Sequence, residues 1–169
     1  YDSVGRLIAT TDPLNRTTQT VYDAYGRRSA TIDAAGRQTT YVYDLLDRVI
    51  EVVDPAGSST YTTYDALGNV LTRTDANGNV TTTTYDVLNR PYITTDANNN
   101  SVTNTYDAAG NLISVTDALG NITTYTYDAL NRRTAVTDPL GNTTYTAYDS
   151  LGNLLETTDA NGVVTRYEY

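Results

Sequence analysis

The Tyr-Asp dipeptide recurs every 21 residues along the whole chain, and this fixed period constrains the fold more than any other feature. The eight copies begin at Tyr1, Tyr22, Tyr43, Tyr64, Tyr85, Tyr106, Tyr127 and Tyr148. A short, constant period is typical of repeat architectures, in which each repeat buries its surface mainly against its neighbours. The sequence therefore predicts a single array of eight 21-residue repeats over residues 1–169, with Tyr169 starting a ninth, as a segment of a longer chain.

Two columns in each repeat contain only Gly, Asn or Asp. They are Gly5, Gly26, Asp47, Gly68, Asn89, Gly110, Asn131 and Gly152 at repeat position 5, and Asn15, Gly36, Gly57, Gly78, Asn99, Gly120, Gly141 and Gly162 at position 15. These residue types tolerate a positive φ. Both columns are predicted to be left-handed turn positions, which gives two turns and two strands per repeat.

The turn sequences also predict a strand register. The second turn, as in Asp138-Pro139-Leu140-Gly141, fits a three-residue loop made of a type I turn and a left-handed Gly. The first turn, from Asp2 to Gly5, is predicted to be a four-residue loop. With these loops, positions 8, 10, 18 and 20 share a face with the Tyr of position 1, and positions 7, 9, 11, 17, 19 and 21 lie on the other face.

Charged side chains within the strands suggest which face is more buried. Arg28, Glu51 and Arg133 fall on the face without the Tyr of position 1, so the tyrosine face is predicted to be the better buried one. Position 4, as in Leu46 and Leu67, is predicted to form an apolar rim in which one loop stacks on the next.

The predicted fold class is all-β. It is a repeat array of antiparallel β-hairpins, with two strands per repeat, that curls into a spiral β-shell, a tube or a wide barrel wall. Open twisted sheets of more than about ten strands tend to curl or close, which favours these forms over a flat sheet.

Composition excludes several classes of function. The chain has no Cys and no His, so thiolate or imidazole metal sites and Ser-His or Cys-His couples are excluded. The net charge of -9 comes mainly from Asp at repeat positions 2 and 12, where it caps turns. The eleven Arg residues are dispersed, which argues against nucleic-acid binding, and no apolar run is long enough to span a membrane.

Three oxygen-rich or motif-like features are candidate sites. Asp75-Ala76-Asn77-Gly78-Asn79 resembles a calcium loop but offers a single carboxylate, too few for a hard cation. Carboxylate pairs such as Asp2 and Asp12 belong to different turns and recur eight times, unlike a singular active site. Asp138-Pro139 is interpreted as a turn and not as a self-cleavage site. We therefore predict no enzyme, no catalytic, cofactor-binding or metal-binding residues, and no cofactor.

The repeat closely resembles the YD repeat of the Rhs family. The matching residues are Tyr1-Asp2-Ser3-Val4-Gly5-Arg6-Leu7 and Tyr22-Asp23-Ala24-Tyr25-Gly26-Arg27, and the pattern returns in all eight repeats. The family includes bacterial Rhs toxins, the cocoon-forming components of Tc toxins, wall-associated proteins and teneurins. The resemblance implies a hollow, spiralling β-shell.

Three functions follow as expectations. The first is a non-catalytic structural segment in the wall of an extracellular hollow β-shell or tubular filament. The second is a segment of an Rhs/Tc-type toxin cocoon that encapsulates a C-terminal effector, and the third is a cell-surface adhesion or carbohydrate-binding module. The expected partners are neighbouring repeats, self-association and an encapsulated polypeptide, without nucleic acid. The expected location is extracellular or at the surface of a bacterium.

Overall fold

The structure, a computed structural model that describes residues 1–169, consists of β-hairpins and turns without helices. The strands are β1 (Ala9–Thr11), β2 (Thr17–Tyr22), β3 (Arg28–Ile32), β4 (Gln38–Tyr43), β5 (Val49–Val53), β6 (Ser59–Tyr64), β7 (Val70–Thr74), β8 (Val80–Tyr85), β9 (Pro91–Thr95), β10 (Ser101–Tyr106), β11 (Leu112–Thr116), β12 (Ile122–Tyr127), β13 (Arg133–Thr137), β14 (Thr143–Tyr148), β15 (Leu154–Thr158) and β16 (Val164–Arg166).

Every strand pairs with the strands before and after it in the chain. The order of the sheet runs from β1 to β16, which makes β1 and β16 its edge strands. The pairings are antiparallel, as in β4 with β5. This confirms the predicted all-β fold of hairpins with two strands per repeat. The chain divides into two compact units, Tyr1–Thr82 and Thr83–Tyr169.

The two turns of each repeat have the same backbone geometry. In the turn after Tyr43, the Asp44 N–H donates to the Arg48 carbonyl at 2.9 Å, and the Asp47 N–H donates to the Asp44 carbonyl at 3.2 Å. The turn that starts at Asp54 repeats this pattern. All sixteen residues in the two Gly/Asn/Asp columns have a positive φ, from 59° at Asp47 to 94° at Gly68. The predicted left-handed positions and the three-residue second loop are thus confirmed.

The predicted register at the first turn is wrong, because the loop has three residues and a β-bulge follows it. Between β4 and β5, Val42 lies opposite Glu51 but the next residue, Tyr43, lies opposite Val49. Ile50 is therefore the extra residue on its strand. The same shift recurs between β2 and β3, β6 and β7, β10 and β11, β12 and β13, and β14 and β15.

The bulge places repeat position 7 on the face of the Tyr of position 1. Position 7 lies opposite Tyr of position 1 and shares its face. Arg28, at position 7, accordingly places its guanidinium 4.5 Å from the centre of the Tyr41 ring. The charges that were assigned to the second face are therefore divided between both faces, and they no longer distinguish a wet face from a dry one.

Neither face of the sheet covers a hydrophobic core. Ala30 and Ala135 are the only buried hydrophobic residues, and both occupy position 9, on the face opposite the Tyr of position 1. Most side chains of both faces are half-buried or exposed, so these two residues do not decide between the faces and the better-buried tyrosine face stays a prediction. The chain exposes 11372 Å², whereas a compact monomer of this mass exposes about 8,200 Å². Main-chain pairing and turn contacts therefore carry much of the stability that a core supplies elsewhere.

Candidate functional site at the Tyr-Asp turns

The turns that follow each Tyr, which we call the YD turns, contain the most connected side chains of the molecule. They begin at Asp2, Asp23, Asp44, Asp65, Asp86, Asp107, Asp128 and Asp149. The turns at the other ends of the strands, which we call the second turns, begin at Asp12, Asp33, Asp54, Asp75, Asp96, Asp117, Asp138 and Asp159.

The Asp that opens each turn holds the loop together through its carboxylate. In the YD turn of Asp44, the Oδ1 atom accepts the N–H groups of Leu46 at 2.9 Å and Arg48 at 3.0 Å. The Oδ2 atom accepts the Arg48 Nε–H at 2.7 Å. Asp is favoured at such positions because its short side chain reaches main-chain donors two and more residues ahead.

In most of these turns the same contacts lower the pKa of the Asp carboxyl. For Asp33, the N–H of Arg37 lowers the pKa below its ordinary value of 3.8, and the Arg37 side chain lowers it further. For Asp75, the Asn79 side chain is the first cause and the Asn79 N–H the second. Hydrogen bonds to the ionised form favour that form, so these turns stabilise a charged Asp.

An Arg at repeat position 6 fastens one YD turn to the next. Besides its bond to Asp44, Arg48 donates from Nη1 to the main-chain carbonyl of Asp65 at 2.7 Å. Its guanidinium lies 4.6 Å from the centre of the Tyr64 ring. One planar cation thus engages a carboxylate, a carbonyl and an aromatic face, which Lys lacks the geometry to do.

The Tyr hydroxyl completes the connection between successive repeats. Tyr64 donates to the carbonyl of Val49 at 2.9 Å, and Tyr43 donates to the carbonyl of Arg28 at 2.8 Å. We call these contacts the YD clamp. It consists of the bonds that the position-6 side chain and the Tyr hydroxyl make with the neighbouring repeat. In the second compact unit, Arg132 makes it with the Asp149 carbonyl at 2.7 Å and the Tyr148 ring at 4.9 Å.

Some repeats use amides in place of the guanidinium. Asn111 donates from Nδ2 to Asp107 Oδ2 at 2.9 Å and to Asn131 Oδ1 at 2.8 Å. Asn131, the acceptor of the second bond, occupies position 5 of the following repeat. The same position in the first compact unit is Asp47, whose Oδ1 accepts the Arg27 Nη1–H at 2.6 Å. Asp or Asn at this left-handed position therefore gains a partner that Gly cannot have.

The candidate chemical sites of the sequence lie in turns whose Asp accepts hydrogen bonds from its own loop. Both carboxylate oxygens of Asp75 accept hydrogen bonds from its own loop, from the Asn77 and Asn79 N–H groups and from Asn79 Nδ2. No group of three or more acidic residues lies close enough together to hold a metal ion. Asp138 likewise accepts the Leu140 and Asn142 N–H groups. Asp2 and Asp12 lie in turns at opposite ends of the strands.

Sequence reasoning found the turn-closing Asp residues but missed the YD clamp. It assigned Tyr to strand packing and left the Arg or Asn of position 6 without a role. The available signal was the fixed spacing of 16 residues between a position-6 Arg and the next Tyr, as between Arg48 and Tyr64.

The structure also contains no helix that is long and apolar enough to cross a membrane.

Together the hairpins and the YD clamp define a class of protein: an array of β-hairpin repeats in which contacts at the YD turns fasten one repeat to the next along the sheet. The sequence model of the RHS Repeat family matches residues 1–38, 22–59, 64–101, 106–143 and 148–169. The chain therefore belongs to the RHS repeat family, and the resemblance drawn from the Tyr-Asp motif is confirmed.

Solved structures with a similar fold include Tc toxin proteins. The crystal structure of TcdB2-TccC3-Cdc42 matches with a TM-score of 0.74 and 20% identity, over 89% of this chain and 10% of that chain. The Tc holotoxin pore of Photorhabdus luminescens matches with a TM-score of 0.74 and 20% identity, over 89% of this chain and 9% of that chain. This chain thus spans about a tenth of their length. No curated protein matches it in sequence.

Proposed function

We propose that the chain is a structural, non-catalytic segment of a longer YD-repeat protein and forms part of the wall of a hollow β-shell. The YD clamp is the observation that carries this proposal. A wall one sheet thick has no core, so each repeat needs another attachment to its neighbour. The Arg48 bond to the Asp65 carbonyl and the Tyr64 bond to the Val49 carbonyl supply it.

The carboxylate oxygens of the turns accept hydrogen bonds from their own loops, which supports a structural role over a catalytic one. A general base needs a free lone pair directed at a substrate. In the YD turn of Asp44 both oxygens accept hydrogen bonds from the loop, and the lowered pKa of this carboxyl makes it a weaker base. The repetition of the same arrangement along the chain is the pattern of a scaffold.

Within this proposal, a toxin-type shell that encloses a polypeptide is favoured over a filament. The similarity to TcdB2-TccC3-Cdc42 supports that choice, because the matched chain belongs to a Tc toxin assembly. We infer an extracellular role for a bacterial protein, with neighbouring repeats and an enclosed polypeptide as partners. The uniform 21-residue period supports the tubular filament, which remains the second candidate.

Electron microscopy of the full-length protein that carries this array tests the proposal. A toxin-type shell should give isolated hollow particles, and an enclosed polypeptide should resist added protease until the particles are denatured. Long tubes of uniform width would establish the filament instead. Solid particles without a lumen would contradict both forms of the wall.

A further inference from the structure

One cleft between two successive YD turns of the first compact unit differs in chemistry from the rest of the array. Its volume is about 290 Å³, and it is lined by Tyr25, Arg27, Tyr43, Asp44, Leu45 and Asp47. The first two residues belong to the YD turn of the second repeat, and the others belong to the third repeat. We call this cavity the YD cleft.

Three of the residues that line the YD cleft depart from the repeat pattern. Tyr25 is the only aromatic residue at position 4, and Asp47 is the only acidic residue at position 5. Leu45 is the largest residue at position 3, where the other repeats have Ser, Ala or Val. No other pair of successive YD turns has this combination, so the YD cleft is singular in an otherwise repetitive molecule, as a ligand site is expected to be.

The carboxylates at the YD cleft outnumber the cations beside them. The Arg27 guanidinium is shared between Asp23 at 2.7 Å and Asp47 at 2.6 Å. Arg48 is paired with Asp44. One negative charge is therefore left without a cation of its own, and the Asp47 side chain, which is 70% exposed, presents it to the solvent.

Both the carboxylate and the ring have a side that no other residue uses. The Oδ1 atom of Asp47 accepts the Arg27 Nη1–H, whereas its Oδ2 atom accepts no hydrogen bond. The Tyr25 ring is 84% exposed and has the Arg27 guanidinium 5.0 Å from its centre, which leaves the opposite face of the ring open. The stacking predicted for the position-4 side chains therefore does not cover this ring.

These groups suit an ammonium group on an alkyl chain. A carboxylate oxygen accepts the N–H groups of an ammonium ion, and the face of a Tyr ring attracts a cation. The side chain of Leu45 is fully exposed and offers apolar surface along which an alkyl stem can lie. An inorganic cation would need several more oxygen ligands, and an anion would be repelled by the uncompensated charge.

We propose that the YD cleft binds a primary alkylammonium group. Its N–H groups donate to Asp47 Oδ2, its charge lies against the open face of Tyr25, and its stem lies along Leu45. A lysine side chain of another polypeptide and a free amine both carry this group. The contacts are exposed to solvent, so each contributes a factor of about two to five to the affinity, and the dissociation constant is on the order of millimolar.

An NMR titration of the wild-type chain with n-pentylammonium chloride tests the proposal, with sodium chloride at the same ionic strength as the reference. The backbone amides of Tyr25, Leu45 and Asp47 should shift and approach saturation. The amide of Asn131, which occupies position 5 of the seventh repeat, should not shift.

A second titration, with a tripeptide that has a central lysine and blocked termini, distinguishes the two sources of the ammonium group. The same shifts with the tripeptide would show that the cleft accepts a lysine side chain of a polypeptide. Shifts with the free amine alone would restrict the site to small amines.

Two variants remove the binding groups and introduce residues that the chain already uses at the same repeat positions. Asp47→Asn follows Asn89, which has a φ of 60°, and Tyr25→Leu follows Leu67. Both variants should therefore fold like the wild type. Each should weaken the binding of n-pentylammonium by about two- to fivefold, and the double variant should show no saturable binding.

Two matched controls change the same kinds of group outside the YD cleft. Glu168→Gln removes one negative charge, and Tyr145→Leu removes a ring that is 55% exposed, so both should bind n-pentylammonium like the wild type. Shifts that sodium chloride reproduces, shifts of equal size at the other turn Asp residues, or unchanged affinity in the double variant Tyr25→Leu/Asp47→Asn would each overturn the proposal.

Discussion

The hydroxyl of Tyr43 donates a 2.8 Å hydrogen bond to the main-chain carbonyl of Arg28, fifteen residues earlier in the chain. This carbonyl belongs to the first residue of β3, Arg28. It lies next to the β-bulge between β2 and β3. The same side chain provides the ring beneath the Arg27 guanidinium, 4.7 Å away. Tyr43 therefore joins two repeats through its hydroxyl and its ring, in addition to the main-chain ladder.

Removing the hydroxyl alone should separate these two contributions. Tyr43→Phe keeps the ring but leaves the Arg28 carbonyl without this donor, so the free energy of unfolding should fall by about 1 kcal/mol. Denaturant titration measures the change. Tyr61→Phe is the matched control, because Tyr61 is 46% exposed and its hydroxyl makes no hydrogen bond, and it should leave the midpoint unchanged. Equal losses in the two variants would argue against the clamp.

Replacing the clamp Arg with the amide found in other repeats should weaken one repeat. Arg48→Asn retains a donor for Asp44, as Asn69 does for Asp65, but loses the bond to the Asp65 carbonyl and the contact with the Tyr64 ring. The loss of those two contacts should cost about 1 to 2 kcal/mol in denaturant unfolding.

The control for this substitution is Arg37→Asn in a second turn. Arg37 pairs with Asp33 and contacts no ring, and Asn79 shows that an amide reaches the corresponding carboxylate at 2.7 Å. Its loss of stability should be clearly smaller than that of Arg48→Asn. If the two variants lose the same amount, the position-6 Arg contributes only through its own turn and the connection between repeats is negligible.

The sequence predicted the turns well because their cause is local. A residue that tolerates positive φ, placed three residues after an Asp, is enough to specify the loop, and all sixteen such positions have the expected φ. The bulge at Ile50 has no comparable signature. It follows from how β4 and β5 align over several main-chain bonds after a three-residue loop, and position 8 holds ordinary strand residues.

The wrong loop length explains part of the missed clamp. A four-residue first loop places Arg48 opposite Tyr43, whereas the structure places it opposite Asp44. The bond from the Tyr43 hydroxyl to Arg28 crosses from β4 to β3, where the predicted register is correct. The bulge does explain why Arg28 was assigned to the wrong face. Side-chain chemistry that spans two repeats can be predicted only after the register is known.

A substitution at a left-handed turn position should show the cost of backbone strain without a steric clash. Gly57 has φ +82°, and a Cβ atom added there would meet nothing within 4 Å. Gly57→Ala should therefore destabilise the chain by about 1 kcal/mol through conformation alone. Gly57→Asn should cost less, because Asn15 and Asn99 occupy the same repeat position with φ 59° and 64°. Thermal unfolding of both variants in parallel makes the comparison, and equal losses would point to packing instead.

Acid should unfold the array by protonating the turn carboxyls. Fourteen turn Asp residues have a pKa lowered from 3.8, as at Asp12, Asp33 and Asp75. A lowered pKa in the folded state means that the stabilisation is complete above the unfolded value and is lost as the pH falls through the folded value. The denaturant midpoint should therefore change little near neutrality and fall steeply below about pH 3.8.

Asp33→Asn should be less stable than the parent near neutrality and should approach it in acid, because the variant has one fewer carboxyl to protonate. Glu168→Gln removes a charge outside the turns and should keep the parent's difference between neutral and acidic midpoints. An Asp33→Asn variant that loses as much stability on acidification as the parent would show that the turn carboxyl does not drive the transition.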